Sequence, residues 1–403
     1  MQGSCERFRN RRARRIAGVV LSSLWMAACA QPLRVGTSGD YPPFSMRTPT
    51  GGIGGFDVEV ARAYASDRGR PLELVAFRWP ELDARLAAGD FDVAMSGVTV
   101  RGDRLARFPM TPAVARAAAV LVVRAPDRRR RGPPARVAVN RGGHLERVAR
   151  GAPALKGAEI RAVDDNTSLD ELLARGEVDG VVTDTLELRS FGPGFEVAEV
   201  LARDRKAYWV RDDELAQDLG DWLVAREADG TLPRLRAELL DPSAAPTLPA
   251  GDARSVDLVA RRLALMPFVA AAKRARGLPV DAPAREAEIE QRLLASARAA
   301  GLAESPYLEL VRAQIDAAKS IQRRVLAEPA DATPPAFDLE TELRPAIDRI
   351  DLDLQRELAR SAPLAASESA LLEALRSDAP IPGLGDEDLR RLARALSQQR
   401  AER

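Results

Sequence analysis

Cysteine is almost absent. The chain of 403 residues has two, Cys5 and Cys29, both within its first thirty positions. No disulfide staples the domains that follow, so apolar cores must hold them. Histidine is scarcer still, with His144 the one residue of its type. That shortage excludes a Cys/His zinc site and disfavours a cysteine-protease centre or a Ser-His-Asp triad. No metal or organic cofactor is implied. An excess of one charge is also missing: 60 Lys+Arg stand against 59 Asp+Glu, a net +1. Without residues 1–30, which hold six Arg and one Glu, the remainder is −4. Nothing there favours nucleic acid. Long hydrophobic runs are missing as well, since "IAGVVLSSLWMAACA" (16–30) is too short for a permanent membrane span.

That run follows the basic "ERFRNRRARR", and the pair predicts an export signal over 1–30. "MAAC" resembles a lipobox, which would put a lipid on Cys29. "ACA" before Gln31 equally fits ordinary signal peptidase, with Ala28 and Ala30 at the cleavage positions. Both stay open. Export implies a periplasmic protein, touching the membrane only if Cys29 is lipidated.

What is present is enough for more than one core. Up to about residue 240, β-like runs ("LRVGTS", "LELVAF", "DVAMSGVTV", "AAVLVV", "RVAVN", "EIRAV", "GVVTD", "KAYWV") alternate with helical ones. That alternation predicts an α/β module with mostly parallel sheets over 32–240. A Pro/Ala/Gly linker is expected at 241–254. Strand signals then stop, and amphipathic helices predict an all-α module over 255–358 and a helical tail over 359–403. The basic joint "VVRAPDRRRRGPPARVAV" suggests one crossing between two lobes and "DRKAYWVRDD" a second, with a cleft between the lobes.

The series "LRVGTSGDYPPFSM", "GGIGGFDVEVARAYA", "DFDVAMSGVTVRGDR", "NRGGHLERVAR" and "DNTSLDELLARGEVDGVVTD" resembles the type II periplasmic solute-binding proteins for amino acids. The resemblance implies that Thr99 and Arg104, with Ser96 in the same turn, hold a ligand carboxylate. Arg suits that task because its planar fork meets both oxygens. Tyr41, Phe44 and Trp79 fall where the family builds an aromatic wall, and core packing competes for Phe44. The second-lobe segments resemble cyclohexadienyl dehydratase, an enzyme on this fold that converts prephenate to phenylpyruvate or arogenate to phenylalanine. Its elimination expels CO2 and a ring hydroxyl, which needs an acid. The "GGxxE" position implies Glu146 as that acid, with a helix-first-turn Glu as the alternative. His144 and Leu145 stand where the dehydratases carry a hydroxyl and an amide. Asp184 would hold an α-ammonium and Lys206 a second carboxylate, or a hinge-surface charge. Asn140 and Asn166 are weaker candidates of the same kind.

In the helical module, "VARRLALMPFVAAAK" (259–273) puts Arg262 and Lys273 on the face that carries Leu258, Leu265 and Val269. Eleven residues return a helix to within 20° of the same direction, about 16 Å further along. Arg285, Gln322 and Arg344 lie on or beside the apolar stripes of three further helices. A bundle that collects cations inside predicts a pocket for a multiply charged anion. The intervals 262–273, 273–285 and 285–322 resemble the all-α chorismate mutases, of the secreted class given the export signal. The resemblance implies that Arg262, Arg285 and Arg344 hold two carboxylates, Lys273 and Gln322 donate to the breaking ether oxygen, and Glu286 binds the ring hydroxyl. Pro267 is expected to kink the first helix.

The sequence therefore predicts a multidomain chain: a two-lobed, periplasmic-binding-protein-like α/β domain followed by a chorismate-mutase-like helical bundle. The expected function is conversion of chorismate to prephenate and onward to phenylpyruvate or phenylalanine. The competing expectation is a mutase fused to a non-catalytic amino-acid sensor. Expected partners are the small-molecule substrates and, in addition, another copy of the chain in a homo-oligomer.

Overall fold

The computed structural model describes residues 31–129, 132, 134–329, 337–377, 381 and 383–400, so the expected export segment and its Cys29 lie outside the described residues. The first lobe opens with β1 (Leu33–Thr37), whose Leu33 and Val35 are buried on one face while Gly36 on the other lets the Phe91 ring approach. A small meander follows: β2 (Asp40–Tyr41), β3 (Ser45–Arg47) and β4 (Ile53–Gly54). Then come α1 (Phe56–Asp67), β5 (Leu72–Ala76), α2 (Leu82–Ala88), β6 (Val93–Ala94) and α3 (Gly102–Arg107). β1 pairs in parallel with β5 and β6. The expected strand over 92–100 shrinks to β6 because the chain turns out at Gly97, whose φ is 63°. A Cβ there would stand 2.6 Å from the Tyr41 ring.

The second lobe holds β7 (Ala115–Arg124), β8 (Arg136–Asn140), α4 (His144–Gly151), β9 (Glu159–Val163), α5 (Leu169–Ala174), β10 (Gly180–Asp184) and β11 (Phe195–Lys206). The sheet order is β11-β7-β10-β8-β9. β8 pairs in parallel with β9 and β10, while β7 is antiparallel to both neighbours, so this sheet is mixed rather than mostly parallel. The basic joint at 122–139 is not a crossing: β7 and β8, on either side of it, belong to one sheet. The first crossing is Thr111–Val114, bonded to the second at Lys206–Tyr208 through Thr111 N–H to Tyr208 O (3.0 Å) and Val114 N–H to Lys206 O (2.8 Å). The chain returns by β12 (Trp209–Val210), which pairs with β6, and α6 (Asp213–Ala228) and α7 (Thr231–Leu239) pack on the first lobe.

The helical module comprises α8 (Ala250–Ala264), α9 (Met266–Arg276), α10 (Pro283–Ala299), α11 (Glu304–Ala327), α12 (Arg344–Ser361), α13 (Glu368–Ser377) and α14 (Asp386–Ser397). α8 starts at Ala250, so the linker is shorter than 241–254. The single helix expected through 259–273 is two, divided at Leu265. Pro267 lies in the first turn of α9, where its missing N–H costs no hydrogen bond. The tail is structural: Leu371, Leu375, Leu392 and Leu396 join the same core as Val259, Leu263 and Leu310.

That core runs on into the first lobe through Leu105, Met110 and Trp209. Its polar fastening is α8. Buried Arg261 donates to Met110 O (2.9 Å) and Thr111 O (2.7 Å), at the first crossing. Asp257 pairs with Arg261 at 2.8 Å and with Arg205 of β11, beside the second crossing.

Candidate functional sites

The first site is the cleft between the α/β lobes, a cavity of about 340 Å3. The meander brings Tyr41 to it, the segment after β5 brings Trp79, and the Gly97 turn and α3 bring Thr99 and Arg104. The second lobe contributes Asn140 at the end of β8, His144 at the start of α4, Asn166 before α5, and Lys206 at the end of β11. Arg104 is buried; one Nη donates to Thr99 O at 2.9 Å, and the guanidinium lies 5.4 Å from the Trp209 ring centroid. Burial, with Arg101 nearby, pushes it down to about 9, so it remains a cation at neutral pH.

Lys206 is engaged. Its Nζ donates to Thr99 Oγ1 (3.0 Å) and Tyr41 Oη (3.2 Å) and pairs with Asp184 at 3.1 Å. Asp184 also accepts from the Tyr41 phenol and from the N–H groups of Leu186 and Glu187, both at 2.9 Å. This corrects both expectations: Asp184 is not open to an α-ammonium, and Lys206 is spent on Asp184 rather than offered to a carboxylate. Burial and the Asp184 charge hold the Tyr41 phenol well above its usual range, hence protonated. Ser96 does not line the cleft; its Oγ is 2.8 Å from Ser38 Oγ and braces the turn against the end of β1. Phe44 is core, stacked behind Tyr41 at 5.6 Å. Trp79 meets Tyr41 edge-on at 5.6 Å.

Glu146 is not brought into the cleft. Its carboxylate accepts from Gly142 N–H (2.7 Å) and pairs with Arg150 (2.7 Å), one turn on in α4. Burial would raise its pKa, but those two contacts outweigh it and the net shift is down, the wrong direction for an acid. The buried carboxyl the sequence reading missed is Glu187. It accepts from Thr183 Oγ1 and from Asn166 Nδ2, a cleft-lining side chain. Burial, then the neighbouring Asp184, lifts its pKa well above the carboxylate range. The signal was "VVTDTLEL", a Glu set in an apolar run just past a fully buried strand. Asp204 was missed as well; its Oδ1 lies 2.9 Å from His144 Nε2. Four buried polar atoms on cleft residues have no hydrogen-bond partner among the described residues: Arg104 Nε, Asn140 Nδ2, His144 Nδ1 and Asn166 Oδ1. Orphans gathered in one cavity are what a polar ligand would satisfy.

The second site lies inside the helical module, a cavity of about 820 Å3. All six expected residues line it: Arg262, Lys273, Arg285, Glu286, Gln322 and Arg344, from α8, α9, α10, α11 and α12. The break at Leu265 does not separate Arg262 from Lys273, because both flanking helices still border the same cavity. Arg262 Nε donates to Asp351 Oδ1 at 2.8 Å, and one Nη is buried without a partner among the described residues. Lys273 Nζ donates to Val280 O at 3.0 Å; burial lowers its pKa, with Glu286 and Asp281 opposing. Gln322 is buried, its Nε2 3.8 Å from Met266 Sδ and its Oε1 unpaired among the described residues. Arg285 pairs with Glu288 (2.6 Å) and Arg344 with Glu340. Glu286 takes Lys319 Nζ at 3.1 Å. Asp351 and Lys319 were missed. Asp351 was legible as the residue two turns beyond Arg344, on the same face of α12.

Two lobes joined by paired crossings, with orphaned donors in the cleft, define a solute-binding protein. The chain belongs to the bacterial extracellular solute-binding proteins, family 3, which it matches over residues 33–241. Residues 250–323 match the chorismate mutase type II family. Cyclohexadienyl dehydratase of Pseudomonas aeruginosa is 32% identical over 220 residues, covering 50% of this chain and 79% of that one. The L-arginine-binding protein of the same species is 26% identical, covering 53% of this chain and 86% of that one. An ancestral amino acid-binding protein described as a precursor of cyclohexadienyl dehydratase is 28% identical, with a TM-score of 0.48, covering 52% of this chain and 95% of that one.

Proposed function

We propose that this is a bifunctional exported enzyme whose helical module rearranges chorismate to prephenate and whose α/β module dehydrates and decarboxylates prephenate to phenylpyruvate. The observation that carries the first activity is the convergence of six polar residues from five helices on one cavity. The rearrangement is pericyclic and needs no proton transfer. Arg262, Arg285 and Arg344 hold the two carboxylates and so the folded conformer. Lys273 and Gln322 donate to the ether oxygen as it gains charge, a preorganised electrostatic contribution. Glu286 takes the ring hydroxyl.

For the second activity, the ring carboxylate leaves as CO2, and its electron pair moves through the ring to expel the hydroxyl, which a protonated Glu187 supplies with the needed proton. Glu187 replaces Glu146 in this role because its carboxyl is desolvated and lies directly behind the cleft-lining Asn166, whose side chain must turn aside for the proton to reach substrate. With Asp184 neutralised by Lys206, no carboxylate among the described residues lines the cleft to meet an ammonium, which supports prephenate over arogenate or a plain amino acid.

One feature favours the reading as a mutase joined to a sensor: His144 and Leu145 stand where the dehydratases it resembles carry a hydroxyl and an amide. Following product from chorismate decides. Phenylpyruvate means both activities, prephenate alone means mutase only, and unconsumed chorismate overturns the proposal. Glu187→Gln is expected to lower phenylpyruvate formation from prephenate at least a hundredfold while leaving chorismate consumption unchanged.

A further inference from the structure

Arg104 is the anion pole on the first lobe, while Lys206, expected as the other pole, is spent on Asp184. His144 supplies the other. It opens α4 just after the Gly142–Gly143 turn and lines the cleft. Asp204 is buried in β11 and holds the ring at Nε2. Burial would raise the Asp204 pKa, but the contact with the His144 ring and the nearby Lys206 and Arg205 charges outweigh it, and the net shift is down. An ionised acceptor at Nε2 fixes the N–H there, leaving Nδ1 as the ring atom for a ligand. Nδ1 is buried and has no partner among the described residues. An N–H at Nδ1 is what an anionic ligand would meet there, and Asp204 at Nε2 sets the ring's orientation for that contact.

Resting on the proposed dehydratase reading, we infer that His144, oriented by Asp204, binds the ring carboxylate of prephenate, the group lost as CO2, while Arg104 binds the side-chain carboxylate that remains. His144 thus takes the task that Lys206 cannot perform. Substrate is gripped from both lobes, whereas phenylpyruvate, with one carboxylate left, is held by Arg104 alone. Loss of CO2 removes the second grip and favours product release.

The test uses the full chain in a Lys273→Ala background that disables the helical cavity, and reads its own tryptophans; among them Trp79 lies in the cleft and Trp209 beneath Arg104, and residues 250–403 contain none. Prephenate and phenylpyruvate are titrated separately in a Glu187→Gln background, which slows turnover at least a hundredfold, with and without His144→Ala or Asp204→Asn. Without the His144 change, prephenate is expected to bind at least about tenfold more tightly than phenylpyruvate, as a charge-assisted hydrogen bond implies. His144→Ala is expected to abolish that preference and leave phenylpyruvate affinity within about twofold. Asp204→Asn is expected to reduce it. In otherwise wild-type enzyme, His144→Ala is expected to raise KM for prephenate without lowering kcat, the pattern of a ground-state contact. A preference that survives His144→Ala, an equal weakening of both ligands, or no preference at the start overturns the inference. Absence of phenylpyruvate from wild-type enzyme overturns the dehydratase reading instead, and the titrations still decide the role of His144.

Discussion

Asp351 shows how a buried anion can serve a cationic pocket. It is buried against Arg262, and its pKa is raised by burial despite that partner. Asp351→Asn keeps an acceptor for Arg262 Nε but withdraws the charge that orients the guanidinium. Expected outcomes are a KM for chorismate raised about tenfold and a stability loss of about 2 kcal/mol, checked by steady-state kinetics and urea unfolding. Asp57 gives a pH-dependent counterpart. Burial pushes its carboxyl up to about 7, although Gly97 N–H and the Tyr208 hydroxyl oppose the shift. A raised folded pKa means that the native state binds more protons than the unfolded one between about pH 4 and 7. This residue's contribution therefore falls as pH rises through that window. Asp57→Asn, which can still accept from Gly97, is expected to gain stability relative to wild type from pH 4 to 7 and to hold constant above, as urea unfolding across that range would show.

At the scale of elements, legibility followed periodicity. Arg262, Lys273, Arg285 and Gln322 could be read because helical rise converts spacing into direction, and that survived a helix break at Leu265 that the spacing ignored. The break itself was half legible: Pro267 marked it, but a kink and a new helix start look alike in sequence. β11 was invisible as a strand because it is an edge strand with charged residues such as Glu196, Glu199 and Arg203 and two register shifts. With it went Asp204, and with the β7–β8 joint went the true first crossing. Which carboxyl is buried at the cleft was half legible: the apolar run around Glu187 signalled burial, but nothing local showed that Asn166 would bring it next to the cleft. Packing between elements offers its own test. A Cβ on Gly102 of α3 would lie 2.2 Å from Ala264 O at the end of α8. Backbone cannot yield as a side-chain tip can, so Gly102→Ala is expected to destabilise by about 1–3 kcal/mol, seen as a lower midpoint in urea unfolding of the whole chain.

For the whole molecule, the continuous core makes the two modules one mechanical object. Val259 and Leu263 of α8 pack in the same cluster as Leu105, Met110 and Trp209 of the first lobe. A chain cut after residue 249 would leave that apolar face to water, so residues 31–249 alone are expected to unfold at a lower urea concentration than in the full chain and to associate. Arg261 and Arg262, neighbours on α8, face different clients: one holds the carbonyls at the first crossing, the other lines the helical cavity. Such adjacency predicts a heterotropic linkage. If lobe closure shifts α8, then a ligand in the cleft changes the affinity of the helical cavity by some factor, and reciprocity requires a ligand in that cavity to change the cleft's affinity by the same factor. Arg261→Gln, by loosening the clamp, is expected to bring both factors towards one, as measured by titrating each site with the other occupied. Two consecutive steps of one conversion would then share a thermodynamic cycle as well as a polypeptide.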